Sequence, residues 1–345
     1  MTPAAPTIST PAVAQRAEML QGFRLYLAAI QAAGWKFMYG VFHDWDWEAD
    51  PVNILFTFHA IRIWKVLEEK TTLHPRYRML DSGAFSAWNQ TIPQTINIYD
   101  LIREANKPKW DSAVGLDVIG DWRGSKNNLD YMQKWCPKAF PVFHVGDPFE
   151  LLQYYCEKWD VVGLSCRFGE PEQESFAFYE KCFRLCYPHR FHSFGWVKEE
   201  ALLRFPFISA DTSTWGVAPC RYGHWKAFGG QHLGTRDEAA TVQGLKYQVR
   251  HFLELEQKIQ GRWKKENERW KCSKPSASRS APTFPEVPPL TSLSLSPGLR
   301  TMTKKSLSNF VAQNSRRSAP SQVIPTSANS SSATPRRTLC SKPKA

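Results

Sequence analysis

Arg78-Met-Leu-Asp81-Ser-Gly-Ala-Phe85 is a short apolar run that stops at an acid and passes into a Ser-Gly turn. Four more apolar runs end at Asp, Gly or Ser: Val114-Gly-Leu-Asp117, Val142-Phe-His-Val-Gly146, Val161-Val-Gly-Leu-Ser165 and Phe207-Ile-Ser-Ala-Asp211. Strands buried on both faces of a parallel sheet read this way, apolar until the chain leaves the core at a polar residue. In a barrel of such strands the side chains at the carboxyl ends point into one mouth. Asp81, Asp117 and Asp211 converge in this reading although they are far apart in sequence. Their convergence suggests a carboxylate-based active site.

The segments around these runs alternate with them. Leu20, Phe23, Leu27 and Ile30 recur at helical spacing before Gly34 and predict a helix over 14–33. Lys36-Phe-Met-Tyr-Gly-Val-Phe42 reads as a first strand. Helices are expected over 61–69, 99–106, 128–135, 148–157, 172–186 and 198–204. Further strands are expected over 141–146, 161–165 and 191–194. Pro148 suits the first turn of its helix. Residues 225–229 are a candidate eighth strand, and an amphipathic helix over 236–264 closes the domain. Seven or eight strand–helix units over about 250 residues match a (β/α)8 TIM barrel in the α/β class. The competing doubly wound sheet lacks a Gly-x-Gly-x-x-Gly or phosphate-loop signature.

Charge divides the chain. Residues 271–345 carry +11 of the formal +12, so the folded part is close to neutral. That tail is rich in Ser, Pro and Thr and too poor in apolar residues to offset the entropy of ordering. The expected organisation is a disordered N-terminus (1–14), a barrel domain (15–268) and a disordered basic tail (269–345). The tail reads either as an arm for nucleic-acid phosphates or as a solvated extension. Residues 1–14 have no basic region followed by an apolar one, which argues against a signal peptide. No uncharged apolar run approaches membrane-spanning length. Eight cysteines without a Cys-x-x-Cys pair fit a reducing cytoplasm.

With these segments assembled, a family resemblance is visible. Asp81-Ser-Gly-Ala-Phe85 resembles the Asp-Ser-Gly-Gly-Phe/Tyr segment of tRNA-guanine transglycosylases, which are (β/α)8 enzymes. Asp117, the Val145-Gly146 and Val162-Gly163-Leu164 turns and Ser209-Ala-Asp211 follow in that family's order. Phe143-His-Val-Gly146, His192-Ser-Phe-Gly-Trp196 and Ser209-Ala-Asp-Thr-Ser-Thr-Trp215 are closer to the bacterial and phage branch that inserts 7-deazaguanines into DNA. The resemblance spans roughly residues 36–225 and rests on order and spacing more than on any single motif. It implies Asp211 as the nucleophile at C1′ and Asp81 as the carboxylate that holds the purine edge and moves protons. It implies Asp117 as a second base-binding acid, Phe85 as the stacking ring and the Gly163 turn as a backbone contact to the base. Ser82 and Gly83 fall within the first motif as substrate-binding positions, and Arg221 is a candidate phosphate contact.

The chemistry is coherent apart from the family. Exchange of one base for another with retention requires two displacements and a carboxylate that holds the sugar in between. The departing base needs a proton, hence a second carboxylate of different pKa. A purine's N1–H and 2-amino donors complement further carboxylate oxygens. Each aspartate taken alone is more readily a helix N-cap or loop acid, and it is the three together within matching motifs that favour a site. The tRNA enzymes carry a zinc site of clustered cysteines and a histidine after the nucleophile. Here Cys220, Cys272 and Cys340 are widely spaced, so neither zinc nor any other cofactor is expected. Cys182 and Cys186 read as buried thiols, and His189 and His192 as a poor metal pair. His144 and Ser193 read as substrate contacts or hydrogen-bonding core residues. Trp45 and Trp47 read as a capping loop or as stacking residues. The basic run Arg262-Trp-Lys-Lys-Glu-Asn-Glu-Arg-Trp-Lys271 reads as a solvated helix end or a phosphate-and-stacking surface. The expected partners are nucleic acid, DNA before tRNA, and a 7-deazaguanine base, with no membrane and no identifiable protein partner. A tRNA-directed transglycosylase, a retaining glycosidase using Asp81 and Asp211, and a catalytically silent nucleic-acid-binding barrel are the alternatives.

Overall fold

The structure, a computed structural model, describes residues 22–28, 35–71, 73–90, 94–166, 171–229, 231–232 and 238–265. Contacts divide the chain into Met1–Pro289 and Leu290–Ala345, and every described residue belongs to the first unit. The segments 1–14 and 269–345 lie outside the described residues. Among those described, no helix is long and apolar enough to cross a membrane.

Nine strands form one all-parallel sheet: β1 (Arg24–Leu27), β2 (Asn53–Thr57), β3 (Tyr77–Asp81), β4 (Ser112–Val114), β5 (Ala139–Phe140), β6 (Val142–His144), β7 (Val161–Ser165), β8 (Arg190–Phe194) and β9 (Ser209–Thr212). Their order is β5-β4-β3-β2-β1-β9-β8-β7-β6. The two ends of that order are consecutive in the chain, parted only by Pro141, whose missing N–H interrupts the ladder. Phe140 O accepts from Gly115 N at 2.9 Å on one side, and Pro141 O accepts from Gly163 N at 2.8 Å on the other. β5 and β6 therefore act as one stave, and the sheet curls into an eight-stave (β/α)8 barrel.

The strand period of two sorts the side chains. Tyr26, Leu55, Met79, Val114, Phe140 and Val142 pack together inside the barrel. Their neighbours Leu25, Ile54, Leu80, Phe143, Val162 and Phe191 face the helical layer. Because both faces are buried, such strands show no alternation in sequence.

That loss of alternation explains two corrections. Residues 24–27, expected within a helix, form β1, with Leu25, Tyr26 and Leu27 all buried. Residues 36–42, expected as a strand, belong to the helix Trp35–Phe42, which buries Met38, Val41 and Phe42 at helical spacing. A Cβ on Gly40 would meet Val242 Cγ2 at 2.7 Å, so the closing helix Glu238–Lys265 packs directly on this one. β2 was not expected, and it completes the stave count. The candidate eighth strand at 225–229 is instead a short antiparallel pair, His224–Trp225 with Gln231–His232, outside the barrel. Trp45 and Trp47 pack on Phe42, and Asp44 and Asp50 pair with Lys246 and Arg250 of the closing helix. These contacts tie the loop to the helix Trp35–Phe42 and to the closing helix, as the capping reading expects. Trp263 Nε1 donates to Leu202 O at 2.9 Å, which docks the start of the 262–271 run.

The closing helix also inserts Glu256 among the first strands. Its carboxylate accepts from Asn53 Nδ2 at 3.2 Å, from Gln260 Nε2 at 3.2 Å and from Arg76. Burial raises the Glu256 pKa, against the pull of Arg76 and Asn53. In Arg76→Met the buried charge loses its cation, a change expected to lower stability by about 3 kcal/mol at neutral pH. Because the folded-state pKa is raised, the penalty grows as pH rises above the ordinary carboxylate range and fades below it. Urea unfolding at pH 4 and pH 8 checks this. Equal losses at both pH values would show that Arg76 acts through packing alone.

Candidate active site

Three strand ends deliver the acids. Asp81 is the last residue of β3, Asp211 lies near the end of β9, and Asp117 follows β4 by three residues. Thr57 of β2 stands in register with Asp81, and Tyr26 of β1 in register with Asp211. Asp81 feels the charges of both Asp211 and Asp117, so the three form one electrostatic cluster at the carboxyl ends.

Asp81 is fixed by the turn that follows it. Gly83 N donates to Asp81 Oδ2 at 3.0 Å, with Gly83 at φ +76°. A Cβ at that position would lie 2.7 Å from His59 Cβ, His59 N and Thr57 Oγ1. Glycine is thus required both for the left-handed backbone and for the space. Burial pushes the Asp81 carboxyl up to about 7, and the charges of Asp211 and Asp117 add to the shift. The Gly83 N–H and the Thr57 hydroxyl oppose it. Thr57 Oγ1 is buried without a hydrogen bond of good geometry, so its influence on Asp81 is that of a nearby dipole.

Asp117 is raised to about 6 by burial, opposed by His144 and reinforced by Asp147. His144 Nε2 lies 3.6 Å from Asp117 Oδ2, and its Nδ1 lies 3.7 Å from Asp147 Oδ2. Burial disfavours protonation of His144, yet the two acids outweigh it and raise its pKa. Asp147 holds this end of β6 by accepting from His144 N at 3.0 Å.

Asp211 is buried, with two partners on one oxygen. Gly195 N donates to Oδ1 at 2.9 Å, and His192 Nε2 lies 3.4 Å from the same atom. His192 is fully buried, and its Nδ1 lies 2.8 Å from Ser209 Oγ. Four residues beyond Asp211, Trp215 Nε1 donates to Ala28 O at 2.9 Å and ties the end of this motif to the residue that follows β1.

The other expected residues divide. Phe85 and Trp88 stand exposed after β3, with rings 6.1 Å apart. Ser82 is buried in the turn, where its hydroxyl accepts from Ala84 N at 3.4 Å. Gly163 is in mid-strand and not in a turn. Its N–H is taken by Pro141 O, and a Cβ would collide with the Phe194 ring at 2.2 Å, so it makes room for a wall residue. Ser193 faces the helical layer, bonded to Tyr179 OH and Trp196 O, and takes no part in the mouth. Arg221 lies in the helix Val217–Tyr222; its side chain lies outside the described residues. Cys182 is buried and free, and Cys186 is half-buried. Among the described residues no group of three His, Cys, Asp or Glu side chains is arranged to hold a metal ion.

Sequence reasoning missed Thr57, Asp147, Gly195 and the role of His192. No sequence signal marked His192, because only the register between β8 and β9 pairs it with Ser209. The chain matches no protein-family model and has no significant match among curated proteins.

Asp81 supplies a test of the cluster that does not depend on activity. Its raised folded-state pKa means that the folded protein keeps a proton which the unfolded chain loses near pH 4. Stability therefore falls as pH rises from about 4 to about 7. Asp81→Asn is expected to raise stability by roughly 1–4 kcal/mol at pH 8 and to leave it unchanged at pH 3.5. Thermal unfolding at the two pH values reads the difference. A destabilised Asp81→Asn at pH 8 would contradict the raised pKa.

Proposed function

We propose that this barrel is a base transglycosylase that replaces guanine in a nucleic acid, DNA before tRNA, with a 7-deazaguanine through a covalent link to Asp211. The observation that carries the reading is the convergence of three strand-end carboxylates, one of them titrating near neutrality. A group at about 7 is present in both protonation states at physiological pH, so Asp81 is suited to give a proton and then take one back.

In the first displacement an oxygen of Asp211 bonds to C1′ while the C1′–N9 bond breaks. Its electron pair leaves with the purine, and the Asp81 proton neutralises the departing base. In the second, the ionised Asp81 removes the N9 proton of the incoming base, and N9 attacks C1′. The Asp211 carboxylate departs, and Asp81 ends as it began. Two inversions give retention. Asp117 is suited to accept hydrogen bonds from the purine's N1–H and 2-amino group, with His144 and Asp147 fixing its position.

C1′ of a stacked nucleotide is out of reach of acids set at the strand ends of a barrel. The target must be single-stranded or flipped out, at the expense of a few kcal/mol of pairing and stacking. The exposed pair Phe85 and Trp88 offers the extruded base a surface to stack on, worth about 1–3 kcal/mol per aromatic contact. The preference for DNA rests on the resemblance described above.

Nucleoside analysis of DNA and tRNA from cells expressing the chain tests the reading. 7-Deazaguanine nucleosides are expected in DNA, and none with Asp211→Ala. Their presence in tRNA alone would redirect the proposal to the tRNA enzyme, and full activity of Asp211→Ala would remove the nucleophile. Guanine in a mismatch or single strand is expected to react faster than in a matched duplex, with Phe85→Ala losing more on duplex. Equal rates on both, with an indifferent Phe85→Ala, would sink the flipping step.

A further inference from the structure

The hydrogen bonds around Asp211 are one-sided. Gly195 N–H and His192 Nε2 both address Oδ1, at 2.9 and 3.4 Å. Oδ2 takes no hydrogen bond among the described residues. The ring of His192 is held from its other side by Ser209 Oγ at 2.8 Å and packs edge-on against Phe194, 4.4 Å between ring centroids. Facing a carboxylate, Nε2 must carry a proton, since a lone pair there would meet the lone pairs of Oδ1. The Ser209 hydroxyl adapts to Nδ1 in either ring state, because it both donates and accepts.

We infer that Ser209 and His192 form a positioning relay that selects Oδ2 as the attacking oxygen of Asp211 and governs its departure. The inference rests on the nucleophile assignment proposed above. In the covalent state Oδ2 carries C1′, and Oδ1 becomes the carbonyl oxygen of an aspartyl ester. Charge leaves Oδ1 as the ester forms and returns to it as the ester breaks. Donors on Oδ1 therefore weaken the nucleophile in the first displacement and improve the leaving group in the second. The relay's benefit falls on the second displacement, in which the C1′–Oδ2 bond breaks and its electron pair returns to Asp211 while N9 of the incoming base bonds to C1′. His192 touches neither substrate nor the reacting carbon; it acts through Asp211.

This separates the relay from a merely structural histidine. Loss of a hydrogen bond to a charged group corresponds to roughly a 10–100-fold change in rate. Single-turnover reactions with a guanine-containing single-stranded oligodeoxynucleotide and labelled free guanine read the two steps separately, as covalent protein–DNA adduct formed and as label incorporated. In His192→Ala, adduct formation should be unchanged or faster, whereas guanine incorporation should slow about 10–100-fold, so that adduct accumulates. His192→Gln, which restores an N–H donor, should recover most of the second step. Ser209→Ala, a smaller change to the core, should show the same imbalance to a lesser degree. Equal slowing of both steps in the histidine variants would overturn the inference.

A second measurement keeps the relay distinguishable from the reaction. Nitrogen NMR of the His192 ring in the intact protein should show Nε2 protonated, with its signal shifting in Asp211→Asn and in Ser209→Ala. An unprotonated Nε2 would overturn the relay whether or not the protein exchanges bases. No adduct and no exchange in the unaltered protein, with Nε2 protonated, would instead count against the transglycosylase reading and leave the geometry of the relay standing.

Discussion

The acids at the mouth stand on an apolar plug. Inward side chains stack in layers filled from alternate strands, and beneath the acids they include Tyr26, Leu55, Met79, Val114, Phe140 and Val142. Water is excluded below, so a charge placed on top is solvated from one side only. Burial is accordingly the leading cause of the raised pKa of both Asp81 and Asp117, ahead of any neighbouring charge. The same exclusion holds the Tyr26 phenol up at about 12. Without the plug the largest cause of both shifts would be lost, and mutual repulsion alone would be left to raise Asp81.

Within this common setting each acid is individualised by its immediate partners. Asp81 receives a backbone N–H from a turn that only glycine can make, which gives the Asp-Ser-Gly segment its geometric meaning. Asp117 is set in a chain of alternating charge with His144 and Asp147. Asp211 has two partners on a single oxygen, from the loop after β8 and from β8 itself. Three residues of one type thus acquire three environments, a prerequisite for dividing proton transfer, recognition and covalent work among them.

The sequence made the later staves more legible than the early ones. β3 and β7 end at Asp81 and Ser165, β8 stops just before Gly195 and β9 one residue past Asp211, and the helix Glu172–Cys186 has the bounds its pattern implies. β2 escaped notice because Asn53-Ile-Leu-Phe-Thr57 closes on threonine, a residue as common within strands as at their ends. β1 was hidden because Phe23 and Leu27 fit a helical spacing as readily as a doubly buried strand. In the site, Asp81, Asp117 and Asp211 were legible because acids at the ends of apolar runs stand out. His192 and Ser209 were not, because they occupy strand interiors, and only the register between β8 and β9 brings them together. Gly163 was misread as a turn, since the ring of Phe194 that explains it comes from another stave.

The pairing of β1 with β9 has a consequence for how the protein is made. Arg24 to Leu27 align with Ser209 to Thr212, so one of the first strands to be synthesised finds its second neighbour only after the last. At a synthesis rate of about 5–20 residues per second, the intervening chain takes on the order of ten to forty seconds to appear. Throughout that interval one edge of β1 is an open template for strand addition. Asn53 and Arg76 wait longer, until Glu256 emerges on the closing helix. The ring of the barrel is therefore closed by chain made last, and the β1 edge stays unpaired on that side until β9 has been synthesised.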